Sequence, residues 1–256
     1  MNDTASQEPE TAKKPRTPRR RFRLIATIIV AGVAAALLGA ILANAITYFY
    51  YTGRKTLAER AAVSLREATR LYEETNAEAA LERCNEVLSY VSREKDPQLY
   101  QTAKQLRGRC YAWLANLSDK QANLTKAIAD FDEALAAAPP DRFPTTYAAL
   151  QVFLGTTCRD LGITSQPETY LPKAISALES ALTVYTLADY PDQYANTENV
   201  LGTTYANLAR LSQKEENLKK AVQAYEAALQ VLTADAYPEF HKTVKGNLDA
   251  AQQDLR

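Results

Sequence analysis

The chain offers few side chains able to do chemistry, and their spacing argues against a reaction. Its one histidine, His241, stands 47 residues after Tyr194, which follows Tyr147 and Tyr100 at the same step. It therefore fills a recurring tyrosine position, not an acid–base site. The cysteines Cys84, Cys110 and Cys158 are well separated, odd in number and without a C-x-x-C pair, so neither a zinc site nor a disulfide framework is expected. Buried cysteine behaves as a small hydrophobe, and that is the role assigned to all three. The sequence has no glycine-rich phosphate loop, no G-x-S-x-G and no H-E-x-x-H. Its carboxylates are spread out, as at Glu215-Glu216, where they suit solubility and local ion pairs on a helix surface. These residues predict no enzyme, no cofactor and no metal.

The elements that position these residues are set by an internal repeat. Pro97, Pro144, Pro191 and Pro238 are each 47 residues apart, and Gly108, Gly155 and Gly202 keep the same step. So do Tyr111, Cys158 and Tyr205, the triplets Lys126-Ala127-Ile128, Lys173-Ala174-Ile175 and Lys220-Ala221-Val222, and Ala134, Ala181 and Ala228. Each unit holds two stretches with apolar residues at helical spacing, joined by a polar connector such as residues 212–216. Proline suits the first turn of a helix, where its missing N–H would be unbonded anyway. The aromatic before it, Phe143, Tyr190 or Tyr237, is placed to pack on the following turn. A glycine inside a helix costs about 1 kcal/mol against alanine, so three at one column imply a close contact. The expected partner is the alanine column 127, 174 and 221. Leu114, Leu161 and Leu208 with Leu135, Leu182 and Leu229 then fill the core.

Composition agrees with helices. Of 256 residues 46% are hydrophobic and 23% charged, and only eight are glycine. Net charge is zero, but residues 1–23 hold seven Lys or Arg against three acids, which leaves the remainder acidic. An acidic remainder lacks the clustered basic face that nucleic acid requires, so nucleic acid is excluded as a partner.

No charge occurs from Leu24 to Gly53, and the run 24–51 exceeds the roughly 20 residues a helix needs to cross hydrocarbon. The basic residues before it predict a cytoplasmic N-terminus, and Tyr48 to Tyr51 suit the opposite headgroup layer. The alternative is a signal peptide cleaved after Ala43-Asn44-Ala45, against which the apolar run is long and continues past the site. Gly32, Ala36 and Ala40, like Ala35, Gly39 and Ala43, form small faces that permit helix–helix approach, or simply mark an alanine-rich anchor. Residues 1–23 read as a disordered basic cytoplasmic tail.

Leu201-Gly202, Tyr205, Ala221, Tyr225 and Ala228, within NVLGTTY and ENLKKAVQAYEAAL, resemble the helix-pair signature of tetratricopeptide repeats in its extended bacterial form. The resemblance covers residues 97–256, with departures at Cys158, Arg107 and Asp249. It implies an all-α fold: a right-handed superhelical solenoid of antiparallel helix pairs, here preceded by one transmembrane helix. The organisation expected is a degenerate lead-in repeat at 52–96, units at 97–143, 144–190 and 191–237, and a capping helix at 238–256. Asp249 is then acceptable on the cap's solvent face. The family's groove positions fall on Thr102, Gln105, Arg109 and Trp113, on Val152, Thr156 and Arg159, and on Asn196, Asn199, Thr203 and Asn207. The resemblance implies a membrane-anchored scaffold that grips an unidentified protein or peptide on its concave surface, with the repeats periplasmic or extracellular. The arginines there favour carboxylates, the amides a partner's backbone, and Trp113 is the expected hot spot. Two alternatives are a self-assembling homo-oligomeric membrane protein and, with a cleaved signal, a secreted binding module.

Overall fold

A computed structural model describes the backbone of residues 18–256 and the side chains of residues 39–54 and 56–256. Among these residues every regular element is an α-helix: α1 (Pro18–Glu73), α2 (Ala77–Tyr90), α3 (Pro97–Leu114), α4 (Lys120–Ala137), α5 (Pro144–Thr164), α6 (Pro167–Leu182), α7 (Pro191–Ala209), α8 (Lys214–Leu229) and α9 (Pro238–Asp254). Packing divides the chain between Lys55 and Thr56.

In the first part, Ile41, Leu42, Ile46 and the aromatics Tyr48 to Tyr51 are exposed. Helix α1 begins at Pro18, inside the segment read as a disordered tail, and residues 1–17 lie outside the described residues. The side chains of 24–38, over half of the run read as a membrane segment, also lie outside them. Among the described residues no helix is long and apolar enough to cross a membrane.

The second part is a stack of helix pairs. The hydrogen bond from Tyr100 to Glu133 joins the start of α3 to the end of α4, whereas Lys126 near the start of α4 lies over the ring of Tyr111 near the end of α3. That pair is antiparallel. In the next, Tyr185, just past the end of α6, donates to the Thr145 carbonyl at the start of α5.

Helices α3, α5, α7 and α9 each start on one of the four prolines, and the residue before each proline has φ between −139° and −136°. With ψ between 57° and 61°, these residues stay out of the α region, which a following proline disfavours. The connectors within pairs repeat as well. Asp119, Gln166 and Gln213 all have positive φ, at 44°, 49° and 47°, a strained conformation for residues that carry a Cβ. Two of these turns are held by a buried amide: Asn123 donates to the Ser118 carbonyl at 2.9 Å and Asn217 to the Ser212 carbonyl at 2.8 Å. The connector expected at 212–216 is shorter than the sequence suggested. Lys214, Glu215 and Glu216 already form the first turn of α8, where the two acids favour the helix dipole.

The glycine column makes the close contact its spacing implies, but the alanine column is only part of the partner. A Cβ on Gly108 would stand 2.7 Å from the Phe131 ring, one on Gly155 2.7 Å from Leu178, and one on Gly202 2.8 Å from the Tyr225 ring. The glycines are thus notches filled by a third column, 131, 178 and 225, one turn beyond the alanines. The alanines contribute backbone, since the carbonyls of Ala174 and Ala221 lie 3.2 Å from the same Cβ positions. In the lead-in, Ala61 and Ala68 of α1 are fully buried, as are Ala80, Cys84 and Val87 of α2. The α9 helix buries Val244, Leu248 and Ala251 and leaves Asp249 exposed in an ion pair with Lys245.

Candidate protein-binding face

Helix α3 meets α5, α5 meets α7 and α7 meets α9, whereas among the described residues the backbones of α4, α6 and α8 do not approach one another. The first helices of the pairs therefore form one continuous row, and the second helices do not.

Between α5 and α7 this row opens into a cleft of about 190 Å³, lined by Ala149, Val152, Phe153, Tyr185, Gln193, Asn196 and Thr197. Of the residues expected in the groove, Val152 and Asn196 meet there. Phe153 and Gln193 were not singled out in the sequence. Phe153 sits at a column occupied by Leu106 and Val200, so its signal was the replacement of an aliphatic residue by an aromatic.

The remaining expected residues divide by what already engages them. The Arg109 guanidinium lies 4.4 Å from the centroid of the Tyr72 ring and 5.4 Å from that of Phe153. Phe153 in turn stacks on Phe131 at 5.7 Å. Arg109 is thus a cation held between two rings, joining α1, α3 and α5. Trp113 is half-buried against the cluster containing Ala68, Cys84 and Leu114. Arg159 binds the carboxylate of its neighbour Asp160, at 3.0 and 2.7 Å. Gln105 accepts from Gln101, and Thr102, though exposed, donates to the Gln98 carbonyl. In α7, Thr203 donates to the Asn199 carbonyl and Asn207 to the Thr203 carbonyl, while Tyr225 donates to the Thr203 hydroxyl. The buried Oδ1 of Asn199 has no partner. Thr156 is half-buried.

A polar network lies on the opposite side of α3. Asp130 of α4, 3% exposed, accepts two bonds from Arg107, at 2.7 and 2.6 Å, and one from Lys104 at 3.0 Å. Arg107 also donates to Asn85 of α2, and Lys104 pairs with Glu133 at 2.9 Å. The bond to Asp130 raises Arg107 above the ordinary arginine range. Burial would lower Lys104, but its bonds to Glu133 and Asp130 outweigh that and raise it. Glu198 of α7, at the column of Lys104, has no cation partner, and burial pushes its carboxyl up against the opposing bond from Tyr194. Cys84 and Cys110, read as separate small hydrophobes, lie together in one buried cluster. His241 fills its tyrosine column, its Nδ1 2.7 Å from the Leu232 carbonyl.

No family model matches the chain, and no curated protein matches it. Among solved structures it is similar to a thermophilic tetratricopeptide-repeat protein of Thermus thermophilus, at 17% identity over 73% of this chain and 98% of that one, with a TM-score of 0.42. It is also similar to BtubC (BKLC) of P. vanneervenii, at 19% identity over 78% and 85% of the two chains, with a TM-score of 0.35.

Proposed function

We propose that this chain is a membrane-anchored scaffold, built from extended repeats of the tetratricopeptide kind, that holds a partner protein or peptide against the row of first helices. The observation that carries this reading is the composition of that row. Its open cleft is lined by alanine, valine, phenylalanine, tyrosine, threonine and the amides Gln193 and Asn196, with no charge. Amide donors and acceptors beside apolar surface suit the backbone of an extended segment, which offers N–H and C=O groups at regular spacing. The reading assigns no reaction to the chain.

Anchoring is proposed from the uncharged run 24–51 and the basic residues before it. The exposure of Ile41, Leu42, Ile46 and Phe49 supports it, because such side chains in water would be an association liability. In this reading the N-terminus is cytoplasmic and the repeats lie on the far side of the membrane.

Two measurements in the native host test the proposal. Val152→Asp in α5 with Asn196→Asp in α7 charges the cleft while both helices keep their buried residues. Co-purification of a partner by the wild-type protein, lost in this variant while helicity is retained, is the expected result, and equal recovery by both would overturn the groove assignment. Protease added to spheroplasts is expected to degrade the repeats, and their protection would overturn the topology.

A further inference from the structure

Cys84 of α2 and Cys110 of α3 are both fully buried, in a cluster with Ala68, Ala80, Leu106 and Leu114. Helices α2 and α3 pack directly on each other, and the two thiols lie close enough to influence each other's ionisation. No repeat column produces this pairing. Cys158 is buried in a different cluster, in α5, where burial pushes its thiol up to about 12. Within the pair the two sulfurs are unequal. Cys84 lowers Cys110, and nearby Arg109 acts in the same direction against burial, whereas Cys110 and burial raise Cys84. Ionisation of the pair is thereby biased toward Cys110.

We propose that Cys84 and Cys110 form a redox-active dithiol that closes to a disulfide by exchange with a disulfide-bearing oxidant, locking α2 of the lead-in to α3 of the first repeat. The Cys110 thiolate attacks one sulfur of the oxidant's disulfide, which expels the other as a thiolate and leaves a mixed disulfide on Cys110. Cys84 then loses its proton to solvent and attacks the Cys110 sulfur, which forms the Cys84–Cys110 bond and expels the second oxidant thiolate. Two cysteine thiols are oxidised and one disulfide is reduced to two thiols. Because neither sulfur is exposed, exchange requires α2 to open from α3, a local event available at the end of a helical stack. Once the bond is closed, the same burial shields it from reductant.

The test uses the reduced full-length protein and glutathione disulfide, followed by acid quench, denaturation, alkylation and peptide mapping by mass. The expected result is that one of the three cysteines, Cys158, is alkylated and that a Cys84–Cys110 linked peptide appears, lighter by two hydrogens than its reduced parts. Cys158→Ala is expected to leave that peptide unchanged. Cys84→Ala, a small apolar replacement for a buried thiol, is expected to replace it with a glutathione adduct on Cys110. Three alkylated cysteines in the wild-type protein, or single adducts without the linked peptide, would overturn the proposal.

Discussion

The first repeat and the two that follow it place opposite chemistries at the same columns. Where the second and third have Leu154 with Ala177 and Leu201 with Ala224, all buried, the first has Arg107 with Asp130. The third column runs Lys104, Gln151, Glu198, so a cation, an amide and an anion occupy equivalent positions. The backbone accepts both solutions. The difference teaches that one charge in such a column requires its counter-charge in the neighbouring one, since a buried ion is tolerated only when paired and hydrogen-bonded. Arg107, seen alone, breaks the repeat's pattern; seen with Asp130, it is half of a paired replacement.

The largest expected effect breaks that pairing on one side. Asp130→Ala leaves the half-buried Arg107 without its anion and the buried Lys104 with Glu133 alone, and is expected to lower unfolding stability by about 3–5 kcal/mol, measured by urea denaturation of the repeat region. A loss below about 1 kcal/mol would place the network among surface ion pairs, which contribute that little. Making the whole replacement sharpens the comparison. Lys104→Gln, Arg107→Leu and Asp130→Ala together copy the second repeat and are expected to be neutral or up to about 4 kcal/mol stabilising relative to wild type. A triple variant no more stable than Asp130→Ala would show that the columns are not interchangeable.

The glycines make a second, smaller comparison. Gly155→Ala forces a Cβ to 2.7 Å from Leu178 and 3.2 Å from a backbone carbonyl, and overpacking of this kind costs about 1–3 kcal/mol. A Cβ on Gly246 of the cap meets nothing within 4 Å, so Gly246→Ala is expected to stabilise by about 1 kcal/mol through helix propensity alone. Thermal melts of the two variants are expected to shift in opposite directions, and equal signs would contradict the notch.

The smallest effect is in pH dependence. Burial raises Glu198, so its ionisation in the folded state opposes folding. Its favourable contribution is complete below the unfolded carboxyl value and lost as pH rises through the folded one. Glu198→Gln is therefore expected to be more stable than wild type at neutral pH, with the difference fading on acidification. Glu133 of the first repeat has the opposite sign. Burial would raise it, but the bonds from Lys104 and Tyr100 prevail and hold it low, so its contribution is lost as pH falls through the folded value.

How much of this was legible in the sequence follows from what repeats by identity. The prolines, glycines and alanines recur as the same residue, and from them the helix starts at the prolines and the close contact at the glycines were legible. The notch-filling column escaped notice because Phe131, Leu178 and Tyr225 share volume but not type. The positive-φ column Asp119, Gln166 and Gln213 escaped because none of its residues is glycine. Contacts that occur once are invisible to periodicity. Asp130 meets Lys104 and Arg107 at separations no helix rule predicts, Cys84 meets Cys110 across two helices, and Arg109 is taken up by rings from α1 and α5. For the candidate face, the family pattern pointed to the first helices of the pairs. It could not tell side chains that point into the open cleft, such as Val152 and Asn196, from those already engaged by their own helix.

The row of first helices as the binding surface is the central claim, and site-specific photocrosslinking in the native host tests it most directly. A photoreactive residue at Asn196, in the cleft between α5 and α7, is compared with one at Glu226, exposed on α8. The account predicts a discrete crosslinked partner from position 196 and none from position 226. The same product from both positions, or a product from 226 alone, would contradict it.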